Sequence, residues 1–271
     1  MAAKTVLITG SSAGIGKATA ELFHHNGWNV VATMRSPQAG SDLAALKNVL
    51  VVPLDVTDEA SIAAALKAAE TRFGGIDVLV NNAGYGAYGV LEATPVDSIR
   101  KQYETNVIGL LATTLAVLPG MRQRRSGVVV NVSSVISRIA FPFASLYASS
   151  KFAVEGLSEA LSFELREIGV RVKIIEPGII HTNFANAMEF RNDESLVQYQ
   201  PLMARFLEFV TVLRSKGSTS EVAAQAIYGA ATDGTDQLRY LVGDDANEMV
   251  AERSSMSDDE YFSAMRKRYG Q

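Results

Sequence analysis

Tyr147 and Lys151 stand four positions apart in LYASSK, a spacing that puts two side chains on one face of a helix, one turn apart. A phenol ionises near ~10 when unperturbed, and an ammonium beside it favours the phenolate, drawing the group toward the range where a general acid or base operates. Of the nine tyrosines, only Tyr147 has a lysine four residues on. Upstream, Ser134 stands where the apolar run GVVVNVS leaves a strand, and the intervening loop is long enough to return its hydroxyl to the phenol. Gathered in this way, the three groups could hold a carbonyl oxygen and move a proton to or from it. A tyrosine with a lysine one turn on is also common as surface packing, so the pair gains weight only from the elements that position it.

Val6–Thr9 reads as a buried strand, and TGSSAGIG (Thr9 to Gly16) follows it into a helix that ends near Asn26 and Gly27. Gly10, Gly14 and Gly16, with Ser12 and Ile15 in the same turn, let the backbone approach a pyrophosphate while amides at the helix start face its charge. The same residues without a ligand would be a flexible connection; the strand before and the helix after favour dinucleotide binding. The spacing is Gly-x-x-x-Gly-x-Gly, not the commoner Gly-x-Gly-x-x-Gly. The next strand, Trp28–Met34, ends where such a fold meets the adenosine ribose. NAD binders usually place an acid there, whereas this chain has Met34 and then Arg35. A guanidinium can pair with a 2′-phosphate, or it can simply face solvent. The residues favour NADP (NADPH) and leave NAD possible.

This glycine loop, followed by a serine, twelve residues and Tyr-x-x-x-Lys, resembles the short-chain dehydrogenase/reductase family in its shorter, single-domain branch. The resemblance implies catalytic roles for Ser134, Tyr147 and Lys151, with Ser133 a bystander, and makes Asn106 a fourth catalytic residue holding a water between Lys151 and solvent. Ser134 and Tyr147 would then touch the substrate, and Tyr147 and Lys151 the cofactor. It places Asp55 and Val56 at the adenine, although Asp55 could also cap the next helix, as could Thr57 or Asp58. It sets Asn82, Ala83 and Gly84 of NNAG beside the cofactor ribose. Pro177, Gly178, Ile180 and Thr182 would hold the nicotinamide carboxamide. ATMR and NNAGYG look like the branch that includes 17β-hydroxysteroid, retinol and acyl-dihydroxyacetone-phosphate reductases. Family members often pair two long helices across a two-fold axis, so a homodimer or homotetramer is implied; the alternative is one helix face on the sheet and the other in water.

The remaining pattern agrees with that architecture. Strands at Val49–Leu54, Ile76–Val80, GVVVNVS, Val170–Ile175 and Arg239–Asp244 alternate with helices at Glu59–Phe73, Pro95–Arg122, from near Leu146 to the stop at Gly169, and Ser220–Ala231. A further helix falls near Asp258–Arg268. This predicts an α/β fold: a doubly wound, mostly parallel Rossmann sheet with helices on both faces, residues 1–271 forming one dinucleotide-binding domain. From about 183 to 217 strand pattern is lost, and Phe184, Met188, Phe190, Met203, Phe206, Leu207 and Val210 read either as a lid over an apolar substrate or as packing on their own core.

A net charge of -4 lacks the basic footprint of nucleic-acid or anionic-lipid binding. With no cysteine there is no disulfide framework or thiolate nucleophile, which suits a reducing cytoplasm. His24, His25 and His181 lack metal-ligand spacing, so no metal is expected. MAAKTVLITG is too short an apolar stretch for a signal peptide, and Gly109–Pro119 falls short of the ~18–20 residues of a bilayer span. The expected activity is hydride transfer between nicotinamide C4 and a ketone, aldehyde or secondary alcohol. The alternatives are an NAD-linked alcohol dehydrogenase of the same fold and a non-catalytic dinucleotide-binding redox sensor.

Overall fold

Short runs rich in valine, isoleucine and leucine alternate with amphipathic segments, and the chain folds accordingly. A computed structural model describes residues 3–182 and 188–270. In its first half lie β1 (Thr5–Thr9), α1 (Gly14–His25), β2 (Asn29–Met34), β3 (Val49–Pro53), α2 (Glu59–Phe73), β4 (Val78–Asn81) and β5 (Ala87–Gly89). Next come α3 (Val96–Tyr103), α4 (Gly109–Arg124), β6 (Gly127–Val132), α5 (Ser145–Arg166), β7 (Val170–Pro177), β8 (Ile180–His181) and β9 (Glu189–Arg191). The chain closes with α6 (Gln200–Arg214), β10 (Ser218–Thr219), α7 (Ser220–Thr232), β11 (Arg239–Val242), α8 (Asp244–Ser254) and α9 (Asp258–Arg268).

The main sheet has seven parallel strands in the order β11-β7-β6-β4-β1-β2-β3. Alternation along β1 shows why both faces are covered. Val6 and Ile8 join Ala20 and Phe23 of α1 in one core layer, while Leu7 joins Ile62 of α2 and Val117 of α4 in the other. All three β1 side chains are fully buried, and each such burial contributes roughly 1.5–3 kcal/mol relative to exposure. β1 lies between β2 and β4, so the chain winds outward in both directions from this point, and the carboxyl ends of the strands there open a crevice.

Several details differ from the expected pattern or sharpen it. The helix anticipated from Pro95 to Arg122 is interrupted by a π-helical turn at Glu104–Ile108, which contains Asn106. The helical run Val96–Arg124 is 29 residues, long and apolar enough by composition to cross a bilayer, although Gly109–Pro119 alone is not. Its packing is that of a core helix: Leu110, Thr113, Thr114, Val117 and Met121 are buried, and the Asn81 side-chain amide donates to Thr114 Oγ1 at 2.9 Å. Within 183–217, where no strand was anticipated, β9 pairs with β5 and β10 with β8; residues 183–187, including Phe184, lie outside the described residues. Met203 and Phe206 of α6 are buried against Val135, Ile139 and Tyr261, so part of the expected lid stripe packs into a core of its own. Finally, β11 stops at Val242, and Asp244 opens the unanticipated α8.

Candidate active site

Every predicted site residue except Arg35 and Ser12 lies at least partly buried at the carboxyl ends of the strands or on the helices that follow them. Gly10 and Gly14 adopt φ of +72° and +56°, the left-handed region that a side chain disfavours. A Cβ on Gly16 would lie 2.3 Å from the Gly10 carbonyl oxygen, so only glycine allows the turn to close on itself. The turn is braced by Asn82, whose side-chain amide donates to the carbonyls of Thr9 (2.9 Å) and Gly10 (3.1 Å). Thr9 Oγ1 accepts from the amides of Asn82 and Ala83, each at 3.0 Å. At the start of α1 no side chain caps the amides and no acid occupies the first turn. Those orphan donors and the positive end of the helix dipole suit an anionic pyrophosphate, and half-buried Ile15 packs into the core beneath. The cradle fits a dinucleotide.

Beyond β3, Asp55 accepts from the Thr57 amide (3.0 Å) and hydroxyl (2.8 Å). These bonds, chiefly the amide's, and the charge of Arg35 hold its carboxyl below the usual range. Asp58, not Asp55, caps α2, accepting from the Ala60 amide at 2.9 Å. Val56 is buried against Gly109, where a Cβ would lie 2.7 Å from Val56 Cγ2. Arg35 projects into solvent beside this edge.

Ser134, Tyr147 and Lys151 are brought together. Tyr147 is buried, and its hydroxyl is hydrogen-bonded to Ser134. Ser134 Oγ also lies 3.4 Å from the Pro177 carbonyl oxygen and accepts from the Ile136 amide at 3.3 Å. Lys151 Nζ donates to the Val132 carbonyl oxygen at 2.8 Å and sits 5.8 Å from the centre of the Tyr147 ring. The expected lowering of the phenol pKa is overturned: burial pushes Tyr147 up to about 12, only partly opposed by the Ser134 hydrogen bond. Burial disfavours charge on Lys151 as well, pulling it down to about 8 against the charge of Glu155. The Ser133 hydroxyl is buried and has no hydrogen-bond partner among the described residues.

Asn106 owes its place to the π-helical turn. Its amide donates to the Tyr85 carbonyl oxygen (2.9 Å), and its oxygen accepts from the Tyr85 amide (3.1 Å). The side chain thus pins the strand-to-loop exit after NNAG, and a Cβ on Gly84 would lie 3.1 Å from Asn106 Oδ1 and 3.9 Å from Lys151 Nζ.

Across the crevice, the Gly178 amide donates to the Val242 carbonyl oxygen at 2.9 Å, Ile180 begins β8, and Thr182 packs 3.1 Å from where a Cβ on Gly14 would stand. Sequence reasoning missed the residue that fixes this segment. Asp245, buried at the start of α8, accepts from the Ile179 amide at 2.7 Å, and its second oxygen has no hydrogen-bond partner among the described residues. It missed Tyr88 too, whose ring centre lies 5.2 Å from that of Tyr147. It missed Asn131, which joins Asn81 on β4 to Ser158 on α5 through bonds of 2.9 and 2.8 Å. Asn81 and Asn131 lie directly opposite in adjacent strands, a pairing that local patterning does not reveal.

Relatives share this arrangement of elements. The short chain dehydrogenase family model matches residues 4–193. An uncharacterized oxidoreductase of Schizosaccharomyces pombe is 39% identical over 237 residues, covering 88% of this chain and 100% of its own. Human retinol dehydrogenase 8 is 38% identical over 192 residues, covering 68% of this chain and 61% of its own. Among solved structures, a short-chain dehydrogenase from Streptomyces avermitilis is similar with a TM-score of 0.84 at 33% identity, over 99% of this chain and 96% of that one. Serine dehydrogenase complexed with NADP+ gives a TM-score of 0.74 at 27% identity, over 87% of this chain and 94% of that one.

Proposed function

The chain belongs to the short-chain dehydrogenase family, and from that premise we propose that it is an NADPH-dependent carbonyl reductase, with alcohol oxidation as the reverse reaction. Family membership gives the coarser assignment: an oxidoreductase that uses a nicotinamide dinucleotide and acts on CH–OH groups of small molecules. The finer reading is carried by one observation, the hydrogen-bonded Ser134 and Tyr147 hydroxyls with Lys151 beneath the phenol ring.

Gly10 to Gly16 and Asn82 would hold the pyrophosphate side of the cofactor, Asp55 and Val56 the adenine, and Pro177 to Thr182 the carboxamide. Reduced nicotinamide supplies a hydride to the carbonyl carbon when bound. Ser134 donates a hydrogen bond to the carbonyl oxygen as it gains charge. Tyr147, held protonated through neutral pH by its burial, gives that oxygen its proton. The Lys151 ammonium stabilises the phenolate left behind, and Asn106 fixes the peptide of Tyr85 beside it. An acid that stays protonated suits reduction, and so do cellular NADPH ratios. Arg35, immediately after β2, supports the phosphorylated cofactor. Asp55, close enough to feel that guanidinium, competes for it and keeps NAD as the second reading.

The substrate side is apolar. Tyr88, Phe141, Ile136 and Ala144 pack around Tyr147. Phe143 is held at a left-handed φ of 59° with its ring 5.6 Å from Phe206, a conformation that costs about 1–2 kcal/mol for a side chain of this kind. These walls support a bulky apolar ketone or aldehyde, consistent with the name of the retinol dehydrogenase relative. Exposed Leu115 (66%) on α4 and Phe163 (72%) on α5 support pairing of copies through these helices. The cysteine-free composition supports a cytoplasmic site of action. Tyr147→Phe removes only the acid: carbonyl reduction, followed by NADPH absorbance, is expected to fall ~10²–10⁴-fold while NADPH titration stays unchanged. An active variant eliminates the mechanism, and a wild-type protein that binds NADPH yet reduces nothing in a broad carbonyl panel returns the reading to a redox sensor.

A further inference from the structure

Of the side chains packed around Tyr147, namely Ile136, Phe141, Ala144, Ala148 and Tyr88, only that of Tyr88 carries a polar group. The mechanism above uses its ring as a wall and gives its hydroxyl no task. Tyr88 is the middle residue of β5, and alternation along the strand decides where it points. Ala87 joins Tyr85 and Leu146 in one cluster, whereas Tyr88 turns to the other side and joins Tyr147. The two phenol rings lie 5.2 Å apart, tilted by 38°. Tyr88 is half-buried; its hydroxyl bonds to no described residue, yet it is not sealed from solvent. The polar end therefore opens into the crevice beside Tyr147.

The strand that carries Tyr88 is fastened along both edges. On one edge the Glu189 amide donates to the Gly86 carbonyl oxygen and the Val90 amide to that of Arg191, each at 2.9 Å. On the other the Ala87 amide donates to Gln102 Oε1 of α3 and the Gly89 amide to the Phe143 carbonyl oxygen, each at 2.7 Å. A Cβ on Gly89 would stand 1.8 Å from the Arg191 carbonyl oxygen, so the strands approach as closely as they do only because that residue is glycine. A side chain anchored in this way loses little freedom when a ligand meets it. Burial of its ring and the Tyr147 phenol beside it push its pKa well up, so through neutral pH it is an uncharged donor. The reacting oxygen already has Ser134 and Tyr147, which leaves Tyr88 to meet a different oxygen of the same ligand. Rings 5.2 Å apart, each reaching an oxygen through a bond of about 2.7–2.8 Å, fit oxygens on neighbouring carbons or on carbons one further apart. We propose that Tyr88 is a specificity-determining residue whose hydroxyl donates to a second oxygen of the substrate, so that the site selects apolar α-hydroxy ketones and β-keto esters over plain ketones of the same length. The identity of the reacting group rests on the carbonyl-reductase reading; recognition of the second oxygen requires no turnover.

The test compares the full-length protein with Tyr88→Phe, which keeps the ring and removes the hydroxyl. The substrates are hydroxymethyl alkyl ketones and alkyl β-keto esters, each set against the methyl ketone of equal chain length. In wild type, kcat/KM for the oxygenated compound is expected to exceed that for its plain partner by roughly tenfold, and in Tyr88→Phe the ratio is expected to fall to near parity, with the change in KM. Calorimetric titration of the same ketones into protein loaded with oxidised cofactor, where the ketone has no hydride to receive, is expected to give the same ratios in Kd. Should Tyr88→Phe fail to fold, Tyr88→Leu carries the same expectation. Ratios that are alike in wild type and variant overturn the proposal, and so does a wild type that does not favour either oxygenated series. Absence of turnover with every ketone defeats the carbonyl-reductase reading alone, and the Kd ratios still decide this one.

Discussion

Lys151 is a charge placed where charge is expensive, and replacing it with an apolar isostere separates its two effects. Burial takes its pKa from the ordinary 10.5 to about 8. At 1.36 kcal/mol for each tenfold change in proton affinity, holding the ammonium inside the fold at neutral pH costs about 3 kcal/mol. Lys151→Met removes that penalty and fills similar volume, but it forfeits the 2.8 Å bond to the Val132 carbonyl, about 1.5–2 kcal/mol. The variant is therefore expected to be more stable by about 1–1.5 kcal/mol, or roughly 2–6 °C for a chain of this length, while reduction falls ~10²-fold or more. The sign depends on pH. Below about 8 the lysine is charged in both the folded and unfolded states, and the penalty is complete. Between about 8 and 10.5 the folded protein releases the proton while the unfolded chain retains it, so wild type gains stability with rising pH and the gap closes. Thermal denaturation without cofactor at about pH 6.5 and pH 9.5 tests both statements. A variant that melts at or below wild type at the lower pH, or a gap of the same size at the higher one, refutes the desolvation account.

Arg35→Ala is expected to weaken NADPH binding by roughly 10–100-fold through lost charge-assisted bonds and to leave NADH nearly unchanged; parallel titrations check it, and equal losses for the two cofactors would assign Arg35 to solvent. Asp245→Ala frees the Ile179 amide that the carboxylate holds at 2.7 Å, so the cofactor KM is expected to rise about tenfold with little change in kcat, measured at saturating carbonyl.

Legibility in the sequence followed contact range. The glycine turn, Tyr147 with Lys151, and the α2 boundaries at Glu59 and Phe73 were all readable because each depends on neighbours within a turn or two of helix. Asn106 falls inside the helix read from Pro95 to Arg122, yet the π-helical turn that accommodates it follows from a partner at Tyr85, twenty-one residues away. Pairs farther apart left no local trace. Asp245 and Ile179 are separated by 66 positions, and Asn81 and Asn131 by 50; only the order of strands makes them neighbours. The pKa of Tyr147 failed for a related reason. Spacing reveals the ammonium but not the surrounding Ile136, Ala144 and Tyr88, and desolvation by burial sets the direction of the shift.

That failure has a mechanistic consequence. A phenol lowered toward neutrality by its lysine would be half ionised at rest and could serve as acid or base with equal ease. One raised to about 12 is a resting acid, and the cost of making its conjugate base is met only during proton transfer, when the Lys151 charge and the Ser134 hydroxyl face a phenolate instead of a phenol. The two groups then stabilise the transition state more than the ground state, which is the condition for rate enhancement. The same burial that weakens the fold at Lys151 thus strengthens each electrostatic contact around the reacting oxygen. Opening the wall should therefore cost activity while bringing both residues nearer their ordinary titration ranges. Tyr88→Ala, which removes the ring 5.2 Å from Tyr147, is expected to lower the alkaline limit of carbonyl reduction attributable to the phenol and to reduce kcat. An unchanged limit would mean that the ring does not set the local dielectric.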